Sequence, residues 1–423
     1  EIWNGTHDDV MPTQLSASAF IDNYLQVAKK ARQKFPEIKL TGPVPANEWQ
    51  WYQWSNETLT IDGKNYCWLE YFIKRVADEQ KATGIRLLDA LDIHWYPGES
   101  NDAQVLQLYR VFYDKSYDYP GANGVKKVNG GWDNTQTKEY IFQRISDWLT
   151  TYFGANHGIT IGLSECDFNT SNPNVTSVLY ASILGTFANN GVGFFTPWGW
   201  KTGQWETLHL FSRYAKNTRV NTNSTLEIVV SGYSTINNNA DSLTVILVNR
   251  DLSASHNVTV NVSNFNISDG DFAVLGLSSL PSTETFKSHV DNALKSSTVN
   301  VTNKSFVITL PPLSTTAVLL KASGTGVEQT PADLNGANSL KLYPNPATDN
   351  FSIRFDSSLS LTSLVTIYDQ SGKRVNELRW EDSGQTQLVV NAGSMTDGVY
   401  FVKTSNSEFT TTRKLVLLKK RTN

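Results

Sequence analysis

The chain has 423 residues, 39% of them apolar and 18% charged, with a formal net charge of −4. That length exceeds what one hydrophobic core usually serves, so two or three domains are expected, and the composition is globular rather than disordered. The acidic balance excludes a broadly basic surface, which removes nucleic acid and anionic membrane as expected partners. No run of about 18 apolar residues offers a membrane span.

Residues 1 to 215 alternate helical and strand patterns. Phe20, Tyr24, Val27, Ala28 and Ala31 recur at helical spacing and predict a helix over 20–32. A strand follows at 38–44, then a helix at 69–84 and the strand Ala90-Leu-Asp-Ile-His-Trp-Tyr. A helix over 139–153 leads into Ile159-Thr-Ile-Gly-Leu-Ser-Glu, and a helix over 175–188 leads into Gly193-Phe-Phe-Thr-Pro-Trp. These strand–helix repeats put polar and aromatic residues at the C-terminal strand ends, the catalytic rim of a (β/α)8 barrel. A whole barrel needs eight units, so the expectation is α/β, the C-terminal half of such a barrel. An open doubly wound sheet is the alternative, though no Gly-rich phosphate loop supports it.

Residues 216–322 change to short strand patterns, at 226–230, 243–248, 258–262, 272–275 and 306–310, with polar residues between. That predicts an all-β sandwich. Residues 323–338 are small and polar, a linker. Residues 339–423 form a third module of strand patterns at 364–369, 386–390, 398–403 and 414–418, enough for a small Ig-like β-sandwich.

The chemistry collects at strand ends. Glu165 closes an apolar strand, where a carboxylate is costly unless paired or solvated. A structural ion pair is one reading; a cleft carboxylate is the other. In glycoside hydrolysis such a group attacks the anomeric carbon, with a second carboxyl about 5–5.5 Å away as acid/base. Alternation sets Asp92, His94 and Tyr96 on one face of their strand, and Ile93 and Trp95 on the other. All of the twelve Trp but Trp380 precede residue 206. Trp49, Trp51, Trp95, Trp198 and Trp200, with His94 and Tyr96, are candidate substrate-binding residues, because flat indoles match the apolar faces of glucose rings; one or two of the tryptophans are expected to be packing alone. Cys67 and Cys166 pair only if the fold brings them together. The six His are scattered, without metal-ligand spacing, so no metal or cofactor is expected.

The opening Glu1-Ile-Trp3-Asn-Gly-Thr-His7-Asp-Asp-Val resembles the stretch after the catalytic Asn-Glu-Pro of family 44 glycoside hydrolases. The resemblance continues through Gly42-Pro43-Val44, Asp92-x-His94-Trp95-Tyr96, Ser164-Glu165, Pro197-Trp198-Gly199 and Leu243–Asn249, and so spans roughly residues 1 to 322. It implies a retaining β-1,4-glucanase or xyloglucanase with a barrel and a β-sandwich, with Glu165 as nucleophile and a β-glucan polysaccharide as substrate. Cys166 departs from the Tyr usual after that nucleophile. The resemblance puts the acid/base Glu two residues ahead of Glu1, so the expectation is an N-terminally truncated hydrolase without turnover. A non-catalytic carbohydrate-binding protein is the alternative. Tyr343-Pro-Asn-Pro-Ala347, Tyr368-Asp-x-x-Gly372-Lys, Gly398-Val-Tyr400 and Lys414-Leu-Val-Leu-Leu-Lys419 are similar to the type IX secretion sorting domain. That implies the type IX machinery as partner and a secreted or cell-surface location in a Gram-negative bacterium. A monomer is expected.

Overall fold

Ser16 opens the first helix: its hydroxyl accepts the Ala19 amide at 3.2 Å, satisfying one of the donors a helix start leaves bare. This helix, α1 (Ala17–Lys34), buries Ala17, Ile21, Leu25 and Ala28 as one stripe at spacings of three and four. The computed structural model describes residues 9, 12–55, 57–122, 125–126, 132–133, 138–323, 340–354, 363–370, 373–380, 386–405 and 410–419. The expected motif at Glu1, Trp3 and His7 and nearly all of the 323–338 linker lie outside them. The chain divides into two units between residues 323 and 324.

In the first unit, α1 is followed by β1 (Thr41–Pro43), α2 (Glu48–Tyr52), the hairpin β2 (Leu59–Ile61) and β3 (Lys64–Tyr66), and α3 (Trp68–Thr83). Gly84 ends α3 at φ 69°, a left-handed cap that costs glycine little. Then come β4 (Ala90–Trp95), α4 (Asp102–Val105), a short ribbon of β5 (Val125–Lys126) and β6 (Trp132–Asp133), α5 (Ile141–Phe153), β7 (Thr160–Cys166), α6 (Pro173–Asn189), β8 (Val192–Phe195) and α7 (Gln204–Tyr214). Strands β1, β4, β7 and β8 make one parallel sheet in that order. Along it α1 packs on α3 and α3 on α5, the neighbour-on-neighbour layering of βα repeats. Strand β4 is buried at all six positions, so Asp92 and His94 sit inside an otherwise apolar layer. Gly162 of β7 is required by close approach: a β-carbon there would lie 2.1 Å from the Phe194 ring on β8.

The rest of the first unit is all-β: β9 (Thr218–Val220), β10 (Val230–Ile236), β11 (Ser242–Asn249), β12 (His256–Asn261), β13 (Gly270–Leu277), β14 (Lys295–Val301), β15 (Ser305–Leu310) and β16 (Ser314–Lys321). Six of them form a sheet in the order β14-β13-β16-β11-β10-β9, and β12 pairs with β15. Val230, Val245, Val274, Phe306, Leu310 and Val318 share the core of these sheets. The strand expected at 226–230 is corrected. Residues 226–229 turn, with the Val229 and Val230 amides both reaching the Leu226 carbonyl at 2.7 Å, and extended pairing starts at Val230. The turn turns the Glu227 carbonyl toward the Arg250 guanidinium and the Ser231 hydroxyl.

Helix α6 is apolar nearly all round because it lies between the parallel sheet and this β region. Arg250 reaches its Ser182 hydroxyl at 2.9 Å, and the Tyr233 ring lies over Gly185.

The second unit holds β17 (Lys341–Tyr343), β18 (Asn350–Arg354), β19 (Ser363–Asp369), β20 (Arg374–Trp380), β21 (Gln387–Asn391), β22 (Gly398–Ser405) and β23 (Thr410–Leu417). They form sheets β17-β18-β21 and β20-β19-β22-β23, with Phe351, Ile353, Val365, Ile367 and Val402 in a shared core. Trp380 belongs to that core and offers no surface for a sugar.

Candidate functional site

The parallel pairing of β4 with β7 runs Ile93 to Leu163 and then His94 to Glu165, so Ser164 is skipped by a bulge. The bulge sets Ser164 and Glu165 one after the other beside His94. The His94 Nδ1 atom lies 3.3 Å from Glu165 Oε2, and His94 Nε2 lies 2.7 Å from the Ser164 hydroxyl. The imidazole thus bridges the two residues, with one ring nitrogen on the carboxylate and the other on the Ser164 hydroxyl. Tyr96, one residue past β4, donates its phenolic proton to the same Oε2 at 2.5 Å. Glu165 keeps 23% of its side chain exposed while His94 keeps 3%, so the carboxylate opens to solvent and its support does not.

Behind this row, Asp92 accepts the Ser164 amide at 2.9 Å. Burial pushes the Asp92 carboxyl above its ordinary range, against the pull of its hydrogen bonds to Ser164. Asn47 ties Tyr96 down from the β1 side. Its Oδ1 accepts the Tyr96 amide at 3.0 Å and caps α2 at the Glu48 amide at 2.8 Å, while its Nδ2 donates to the Tyr96 carbonyl at 3.1 Å. The same short helix buries Glu48 and Tyr52, and Tyr52 donates to the buried Glu139. Burial first, then the charge of Glu48, drives the Glu139 carboxyl well above the usual range. Ser164 and Asn47 were not among the sequence candidates. Asn47 carries a readable signal as an N-cap, whereas Ser164 depends on the bulge.

The tryptophans divide. Trp198 and Trp200 are exposed, at 66% and 47%, just past β8, and the Trp198 amide donates to the Cys166 carbonyl at 3.0 Å. Trp49 is half-buried. Trp51 and Trp95 are wholly buried, and their assignment to a sugar-facing surface is corrected. Trp51 spends its N–H on the His94 carbonyl at 3.1 Å. Trp95 packs edge-on against Phe112, Tyr119 and Phe168, with centroids 5.0 to 5.7 Å away. Cys67 and Cys166 are separate buried thiols, and burial pushes the Cys166 thiol up. Among the described residues no group of three or more His, Cys, Asp or Glu is arranged to hold a metal, and no helix is long and apolar enough to cross a membrane.

Residues 1–99 match the model of Glycoside hydrolase family 44, and residues 341–418 match that of the Secretion system C-terminal sorting domain. Endoglucanase A of Paenibacillus lautus is 21% identical over 427 residues, covering 93% of this chain and 58% of the relative. Beta-mannanase/endoglucanase A of Caldicellulosiruptor saccharolyticus is 23% identical over 293 residues, covering 62% of this chain and 22% of the relative. Among solved structures, a family 44 xyloglucanase from Paenibacillus polymyxa aligns with a TM-score of 0.66 at 17% identity, covering 76% of this chain and 64% of that one. At such identities the likeness shows the fold. The chain spans less than two thirds of the length of each of these proteins. It thus resembles family 44 glycoside hydrolases and carries a secretion sorting domain at its C-terminal end.

Proposed function

We propose that this chain supplies the nucleophile of a retaining endo-β-1,4-glucan hydrolase acting on cellulose- or xyloglucan-type polysaccharide. The observation that carries the reading is Glu165, a half-open carboxylate at a strand tip that is gripped on one oxygen by Tyr96 and His94. Among the described residues both contacts fall on Oε2, which leaves Oε1 free to attack. In the proposed step Oε1 bonds to the anomeric carbon as the bond to the leaving oxygen breaks, and an acid protonates that oxygen. Water, deprotonated by the same group, then cleaves the glycosyl ester and restores the carboxylate. The resemblance assigns that acid to a Glu ahead of residue 1. Trp198 and Trp200 would stack sugar rings beside the nucleophile. The second unit would deliver the protein to the type IX machinery and out of a Gram-negative cell.

The test is a 2-deoxy-2-fluoro-β-cellobioside with a dinitrophenolate leaving group, which departs without an acid's help. The peptide holding Glu165 is expected to gain the mass of one fluorocellobiosyl group, and the Glu165→Gln protein is expected to gain none. A label on another residue would move the nucleophile elsewhere. Binding of glucan without any label would favour a non-catalytic binding protein.

A further inference from the structure

Beyond the carboxylate, one exposed patch of the first unit is built of parallel rings. Trp200 stacks on Trp205 of α7 with centroids 4.0 Å apart and planes 12° from parallel. Trp205 continues to Phe286 at 6.4 Å and 11°. Trp205 is itself 39% exposed. Phe286 comes from the loop between β13 and β14, so the last ring of the tier belongs to the β region and the first to the strand-tip loops.

The tier is fastened from both sides. Buried Glu206 of α7 accepts the Thr285 hydroxyl at 2.7 Å and the Ala293 amide at 3.0 Å, and Glu284 accepts the Gly203 amide at 3.3 Å. Toward Glu165, Lys201 pairs with Asp167 at 2.9 Å, two residues past the carboxylate. An exposed indole held flat in this way keeps one face for a ligand. The polar groups of Lys201 and Asp167 beside it suit a ring with an apolar face and a hydroxylated rim, which is a pyranose.

We infer that Trp200, backed by Trp205 and Phe286, is a sugar-stacking subsite for a glucan chain running from Glu165 toward the β region, whose 278–294 loop thereby takes part in binding. The inference rests on the glucan reading above and extends it to Trp205 and Phe286. Trp205 and Phe286 act here as positioning residues, through the plane of Trp200.

The 423-residue protein carrying Glu165→Gln, which leaves the sugar intact, is titrated with cellobiose and cellohexaose by tryptophan fluorescence and run in gels containing xyloglucan. Trp200→Ala, Trp205→Ala and Phe286→Ala are each expected to weaken cellohexaose binding about three- to tenfold, and to weaken cellobiose binding less. Should Phe286→Ala unfold, Phe286→Leu keeps the bulk and removes the flat ring, with the same loss expected. Cellohexaose affinity unchanged in folded variants would overturn this inference alone. No glucan binding by the Glu165→Gln parent would overturn the glucan reading, and this inference with it.

Discussion

Tyr96 and Glu165 lie 69 residues apart in the chain and meet phenol to carboxylate at 2.5 Å. The contact spans the tips of two adjacent parallel strands and shares its acceptor oxygen with His94. A bond of that length fixes the rotamer of the carboxylate.

Removing that one oxygen by Tyr96→Phe should slow labelling of Glu165 by the dinitrophenyl 2-deoxy-2-fluoro-β-cellobioside, the acid-independent test proposed above, about ten- to a hundredfold, the scale of a lost hydrogen bond to a charged group. The reagent concentration at half-maximal labelling should move little, because the phenol touches the Glu165 carboxylate. Labelling rates followed by mass spectrometry, with thermal melting, separate this from unfolding. A wild-type labelling rate in the folded variant would remove Tyr96 from the site.

Asn47→Ala deletes a helix cap and both ties to the Tyr96 backbone. A loss of about 1–2 kcal/mol in stability is expected, together with slower labelling of Glu165 transmitted through Tyr96. Asn47→Asp keeps the acceptor and should recover most of the stability. If both variants melted alike, the cap would have no part in the loss. Chemical denaturation measures the first effect, and the labelling rate the second.

The Glu139 carboxyl is raised in the folded chain by burial and by Glu48. The native state therefore holds its proton more tightly than the unfolded state does. That contribution to stability is complete below the ordinary carboxylate value and is lost as pH rises through the raised one. Glu139→Gln still accepts from Tyr52 and carries no charge, so its melting temperature should fall less than the wild type's between about pH 5 and pH 8. Parallel curves for the two proteins would refute the assignment.

Gly185→Ala would place a β-carbon 2.3 Å from the Tyr233 ring, where α6 meets the β region. About 1–3 kcal/mol of destabilisation is expected from such overpacking. Adding Tyr233→Val should recover part of it, and strict additivity in the double-mutant cycle would show that the two groups do not collide.

Deleting residues 339–423 removes the second unit, which is built as a separate body. The truncated protein should fold, and it should accumulate inside the cell. Cell fractionation with an antibody to the first unit reads this out. Normal export would dismiss the sorting role.

Much of this was legible in the sequence because buried charge is expensive. Glu165 and the Asp92-x-His94-x-Tyr96 alternation stood out as polar groups in apolar strands, and the helices announced themselves by their spacing. The same alternation set Trp95 opposite His94, which was itself a signal that its ring turns inward. Trp51 gave no such signal, since a five-residue helix shows too little period to tell its faces apart. Strand β16 was missed although it lies between β13 and β11, because its Ser-Thr-Thr start reads as a turn. The hydroxyl of Ser164 could not be assigned because its place depends on pairing between strands, which no local pattern records.

That skipped residue carries a lesson for engineering. Side chains alternate along a strand, so one extra residue decides which way all that follow will point. Ile93 and Leu163 pair on one side, and without the bulge Glu165 would turn to that side too, away from His94. The carboxylate is therefore aimed by counting: chain length at 163–165 sets its direction, and residue identity only sets its chemistry. A library of point substitutions samples the second and never the first. Re-pairing Ser164 with His94 would act as a toggle, setting Glu165 opposite Trp95 and turning the carboxylate inward while leaving every functional side chain in the sequence.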